Sequence, residues 1–142
     1  MARSTARAAA MQLVYENLMG GCGEGTLTEL IAFQPEGDDL EYIEHTVAGV
    51  NACAQELDAV IARYSPSREL SRIARVDLCI LRIALYEMRY AQDMPQPVVI
   101  NEAVSLAKRF SEPSSARFIN GVLGSVARGS EAPLSIGEKQ NA

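Results

Sequence analysis

The sequence predicts an all-α protein of six to seven helices, on three observations. Apolar residues recur at three- and four-residue steps in one segment after another, no run sustains the period-two alternation of a half-buried strand, and glycines and prolines punctuate the chain at intervals suited to short interhelical loops. With 142 residues, the chain suits one domain that buries roughly two-thirds of its unfolded surface.

The elements follow in order. Residues 3–19 place Ala8, Met11, Leu13, Val14 and Leu18 on a broad apolar stripe rich in alanine, the strongest helix former. Gly20, Gly21, Gly23 and Gly25 stop that helix and make a flexible connection. A short helix is expected at 26–33, closed by Pro35 and Gly37. Leu40, Ile43, Val47, Val50, Leu57, Val60 and Ile61 keep helical spacing through 38–63, with Asp38 or Asp39 as cap and favourable charge at the start. Ser65 then reads as an N-cap with Pro66 at the first helical position, opening a helix over about 67–90. Its middle, "IARVDLCILRIALYEM", is apolar on more than one side and should be the most buried helix. The prolines of "DMPQP" end it. Asn101 is the expected cap of a helix over about 101–111, and Ser114 or Ser115 the cap of a last one reaching 128. Residues 129–142 carry little apolar content and read as a flexible tail, leaving 1–128 as a single domain.

Composition narrows the function classes. Apolar residues make up 48% and charged residues 22%, ordinary for a soluble globular protein. No apolar run is long enough to span a membrane, and Gln12, Glu16 and Asn17 break up the only candidate leader, so a cytoplasmic protein is expected. Cys22, Cys53, Cys79 and His45 lack metal-ligand spacing, so no metal site or cofactor is expected. The chain has no Gly-rich phosphate loop, paired-histidine helix or nucleophile elbow, and its carboxylates sit mostly at solvated helix positions. The residues point to binding rather than catalysis. A net charge of −5 argues against bulk electrostatic capture of nucleic acid. Charge is nonetheless segregated: no lysine or arginine lies between Arg7 and Arg63, whereas basic residues outnumber acidic ones from Arg63 to Arg128.

Two local patterns suggest anion or RNA contact. Arg3 and Arg7 lie one turn apart at a helix N-terminus, where positive charge opposes the dipole. Arg117 beside Phe118 pairs a cation with an aromatic near a helix start, the combination that holds single-stranded RNA by phosphate contact and stacking. Between them and the chain end, Asn120-Gly121 interrupts the run of Ile119, Val122, Leu123 and Val126. That spacing keeps the pair inside a helix, and Gly121 reads as a point where another helix packs closely.

The segments "ARAAAMQLVYE", "VDLCILRIALYEM", "PVVINEAVSLAKRF" and "ARFINGVLGSVA" together resemble the bacterial transcription antitermination factor NusB family, from about residue 3 to 128. The resemblance implies a fold of two packed three-helix bundles. It also implies a factor that pairs with NusE, a small-subunit ribosomal protein, binds boxA RNA of nascent transcripts, notably of rRNA operons, and joins RNA polymerase and other Nus factors. On the family's pattern the RNA-binding positions are Arg3, Arg7, Ser114, Ser115, Arg117 and Phe118, and the NusE-facing positions are Tyr15 and Asp77. Relatives differ in self-association, so a homodimer stays among the readings. The N-terminal "ARSTAR" replaces the run of arginines frequent in the family, which implies fewer phosphate contacts and a weaker, less salt-sensitive grip on RNA. The alternative reading is a helical interaction module that keeps NusE but has weak or no RNA binding of its own.

Overall fold

The computed structural model describes residues 3–21, 37–66, 68–91 and 94–129, and among them it is all-α. Six helices appear there: α1 (Arg3–Leu18), α2 (Gly37–Ala52), α3 (Ala54–Tyr64), α4 (Arg75–Tyr90), α5 (Gln96–Phe110) and α6 (Pro113–Gly129), with a 3₁₀ turn at Leu70–Arg72. The short helix expected at 26–33, Cys22, and the tail from residue 130 onward lie outside the described residues. The chain divides into two compact units, Met1–Ala52 and Cys53–Ala142.

In the first unit α1 packs on α2. Ala6, Ala8, Ala9, Ala10, Met11, Leu13 and Val14 are buried, as are Ile43, Thr46 and Val50 of α2. The alanines put little bulk between the helix backbones, so propensity and packing agree. The stop at Gly20 takes a specific form. Its φ of 93° is left-handed, its N–H donates to the Asn17 carbonyl at 3.1 Å, and the Gly21 N–H donates to Glu16 at 2.8 Å. That is a Schellman closure, which a residue with a Cβ adopts only with strain. Asp38 and Asp39 lie within the first turn of α2 rather than ahead of it, where their charge still complements the dipole.

The helix expected over 38–63 is two helices, broken at Cys53 (φ −105°, ψ 11°). Val50 and Leu57 are seven residues apart, two helical turns, so the apolar register runs across the break and conceals it in the sequence. The next helix also starts later than expected. Ser65 and Pro66 do not open α4; the chain passes through the 3₁₀ turn first, and α4 begins at Arg75 behind Ala74. Ser65 instead closes a turn, its Oγ donating to the Arg68 carbonyl at 3.1 Å and its own carbonyl accepting from the Arg68 N–H at 3.2 Å.

In the second unit α4 packs against α3, α5 and α6, and α5 against α6. From Asp77 to Met88 every α4 residue except Arg82 is buried, as its all-round apolar sequence implies. Burial pushes the Cys79 thiol up to about 11, so at neutral pH it is a packed, un-ionised group rather than a nucleophile. Arg82 is the exception for a reason. Its Nε donates to Asp58 Oδ1 at 2.8 Å and its Nη2 to Oδ2 at 2.7 Å, clamping α4 to α3. That hydrogen-bonded carboxylate raises the guanidinium's already high pKa further. Asp58→Ala should cost about 2 kcal/mol in chemical unfolding, below the value for a fully sequestered pair because Asp58 is 20% exposed. An unchanged midpoint would show the clamp to be idle.

Two helix starts depart from expectation in the same direction. α5 begins at Gln96, with Pro95 as N-cap and a proline in its first turn; the prolines that end one segment begin the next, because a missing N–H costs nothing there. Asn101 is therefore an exposed interior residue and not a cap. α6 begins at Pro113, so Ser114 and Ser115 fall inside it. Gly121 was expected to receive a neighbouring helix, but it is exposed and a Cβ there would meet nothing within 4 Å. Gly121→Ala should accordingly raise the stability by about 0.5–1 kcal/mol, read as a higher denaturation midpoint.

Candidate nucleic-acid interface

The candidate site of the second unit is built at the junction of α5 and α6. Ser111, just past α5, and Ser115, in the first turns of α6, both reach Asp77 in the first turn of α4. Ser111 Oγ donates to Asp77 Oδ1 at 2.6 Å and Ser115 Oγ donates to Oδ2 at 2.7 Å, with the two hydroxyl oxygens 2.9 Å apart. Asp77 is 1% exposed and Ser115 5%. Both carboxylate oxygens are thus taken by hydroxyl donors, and the amide end of α4 adds a favourable dipole. The knot fixes the α5–α6 corner and the direction in which α6 leaves it.

Asp77 and Ser115 are therefore not surface contacts. The expectation that Asp77 faces a protein partner and Ser115 faces RNA gives way to a structural role, because both residues are buried and hydrogen-bonded to each other within this unit. Ser114, next to Ser115 but on the outer face, is exposed. Arg117 is exposed as well, and among the described residues it is paired with no carboxylate. Phe118 is half-buried, and the guanidinium of Arg68 lies 4.2 Å from its ring centroid. The corner thus presents a hydroxyl, two guanidinium groups and an aromatic ring, the chemical set used to hold phosphates and unstacked bases.

Sequence reasoning missed Ser111 and Arg68. Ser111 stands one helical turn before Ser115, a spacing that suggests a shared face once the serine pair is suspected. No local signal marks Arg68, which reaches Phe118 only through the tertiary fold.

In the first unit the picture differs. Arg3 starts α1, but its side chain lies outside the described residues. Arg7 was expected to offer its charge to an anion; it is instead 4% exposed, its guanidinium 5.8 Å from the centroid of the Tyr42 ring on α2. An arginine held against an aromatic ring in the interior contributes packing, and its removal is not a pure change of surface charge. Tyr15, further along α1, is half-buried.

No helix among the described residues is long and apolar enough to cross a membrane, and no group of three or more histidines, cysteines or carboxylates among them is arranged to hold a metal.

Comparison with known proteins agrees with this architecture. The model of the NusB family matches residues 4–128. The transcription antitermination protein NusB of Acetivibrio thermocellus is 41% identical over 130 residues, covering 90% of both chains. Among solved structures, that of T. maritima NusB superposes with a TM-score of 0.80 at 28% identity, covering 90% of this chain and 92% of that one. A crystal structure of antitermination factors NusB and NusE in complex with dsRNA shares the fold, with a TM-score of 0.76 at 22% identity over 89% of this chain and 96% of that one.

Proposed function

This chain belongs to the NusB family, and from that premise we propose that it is a transcription antitermination factor that binds RNA through the start of α6. Curated relatives carry the name transcription antitermination protein, which supports the process. The observation that carries the RNA reading is Phe118: a half-buried residue flanked in sequence by the exposed Arg117, which pairs with no carboxylate among the described residues, and covered in space by Arg68. Arg117 supplies charge for a phosphate, Phe118 a stacking plane, and Ser114 a hydroxyl at the same edge. Asp77 and Ser115 act as positioning residues that hold this edge in place. Arg3, at the beginning of α1, adds a second cationic point.

The ligand is boxA RNA and the protein partner NusE, with Tyr15 at the partner-facing surface; the role is one of binding, carried out in the cytoplasm in association with RNA polymerase. A net charge of −5 favours a composite RNA surface to which the partner contributes positive charge, since counterion release by this chain alone is limited. The burial of Arg7 favours a second reading, in which the chain keeps the partner and leaves RNA readout to others. Titration of labelled boxA RNA, with and without NusE, separates the two. The proposal expects a cooperative gain in affinity at moderate salt, and a sample that binds NusE but shows no gain would refute it.

A further inference from the structure

We propose that Arg68 is a further RNA-contacting residue, forming with Phe118 a two-layer platform that takes one unstacked base of a single-stranded RNA and its phosphate. The inference rests on the RNA reading of the α6 edge and adds to it a residue from a different part of the chain.

The geometry carries it in three steps. First, Arg68 is delivered to the ring by a fixed backbone. Its N–H donates to the Ser65 carbonyl at 3.2 Å and its carbonyl accepts from Ser65 Oγ at 3.1 Å, while Ser65 itself is buried. Second, the contact is a tertiary one. The other arginine–aromatic contacts described in this unit, Arg63 with Tyr64, Arg89 with Tyr90 and Arg109 with Phe110, join sequence neighbours. Arg68 and Phe118 come together from the turn after α3 and from α6, at the shortest of these separations, 4.2 Å. Third, the charge is left over. A guanidinium set over a ring uses its π-face and keeps its in-plane N–H donors for acceptors. Among the described residues no carboxylate pairs with Arg68, in contrast to Arg82 and Arg89, which bind Asp58 and Glu56.

Those donors, set over the ring whose sequence neighbour is the exposed Arg117, fit the phosphate of a nucleotide whose base lies on the platform. A protein ligand offering carboxylates alone would use the charge but leave the stacking surface idle, so RNA is the favoured ligand.

The test compares the full-length wild type with Arg68→Ala, Arg68→Lys and Phe118→Ala. Single-stranded RNA carrying boxA is titrated in the presence of NusE across a salt series, with thermal melting of each variant alongside. Arg68→Ala should bind about five- to tenfold more weakly, with the slope of log affinity against log salt reduced by ~0.7. Arg68→Lys, which keeps the charge and loses the planar stack, should retain the wild-type slope and bind about threefold more weakly. If Arg68→Ala does not fold, the lysine variant decides, and wild-type affinity in it overturns the platform.

Wild-type RNA binding by Arg68→Ala, with Phe118→Ala impaired, would overturn the role of Arg68 and leave the RNA reading standing. Loss of NusE affinity with RNA affinity unchanged would assign Arg68 to the protein partner and overturn the inference equally. Absence of RNA binding by the wild-type pair would overturn both.

Discussion

Asp77→Ala should lower the unfolding free energy by about 3 kcal/mol, the largest stability effect expected of any polar substitution in the second unit. The substitution removes the acceptor of two short hydroxyl bonds, at 2.6 and 2.7 Å. It leaves the Ser115 hydroxyl buried without the partner it now has, and an abandoned buried donor costs more than the bond itself contributes. Asp77→Asn should be milder, about 1 kcal/mol, because one amide oxygen still accepts and the amide N–H groups can donate to a serine oxygen. Both variants are read by urea unfolding, with the order alanine below asparagine below wild type. An alanine variant with the wild-type midpoint would mean that the knot does not hold the corner. RNA affinity should fall with the same order, since the corner sets where Phe118 and Arg117 stand.

The second large effect is on binding. Phe118→Ala should weaken RNA binding about tenfold or more, the scale of one lost base–aromatic stack. Because the ring is half-buried, the variant will also lose some stability, so its companion is Arg117→Ala. Arg117 is exposed and unpaired among the described residues. Its replacement should leave the melting temperature within error while reducing the salt slope by ~0.7. Equal RNA affinity for wild type and both variants, at matched salt, would remove the α6 edge from the interface. Arg7 belongs to another class. Its burial against Tyr42 means that Arg7→Ala perturbs the packing of α1 on α2, and any RNA effect it shows must be separated from that loss.

Helix content was legible in the sequence because it depends on local periodicity. The buried α4 follows from apolar residues on more than one face, and the Gly20 closure from glycine's tolerance of φ near 93°. The boundaries were harder wherever two local signals pointed to the same residue. At 95–97 the prolines read as a stop, and they are also a start; at 65–66 a serine–proline pair read as a cap, and it closes a turn. At Cys53 an unbroken seven-residue apolar step carried the expected helix across a real break.

The site was legible only in part, for a related reason. Arg117 and Phe118 are neighbours, so their combination is visible in one dimension. Asp77 meets Ser111 and Ser115 across 34 and 38 residues, and a carboxylate at a helix start looks the same in sequence whether it faces water or two hydroxyls. Burial of a charge is a property of the fold, which is why Asp77 and Arg7 were expected at the surface and lie inside. Gly121 shows the converse. A glycine in a helix suggests close packing, but here the space beside it is open, and the pattern alone does not distinguish the two.

The central claim is that the corner held by Asp77 presents the start of α6, with Phe118 at its centre, to RNA. Hydrogen–deuterium exchange of the chain bound to NusE, recorded with and without boxA RNA, tests it most directly. The account predicts RNA-dependent protection concentrated in residues 111–120 and around Arg68, with α5 before Lys108 unchanged. Protection confined to other segments, with 111–120 exchanging as it does without RNA, would contradict it.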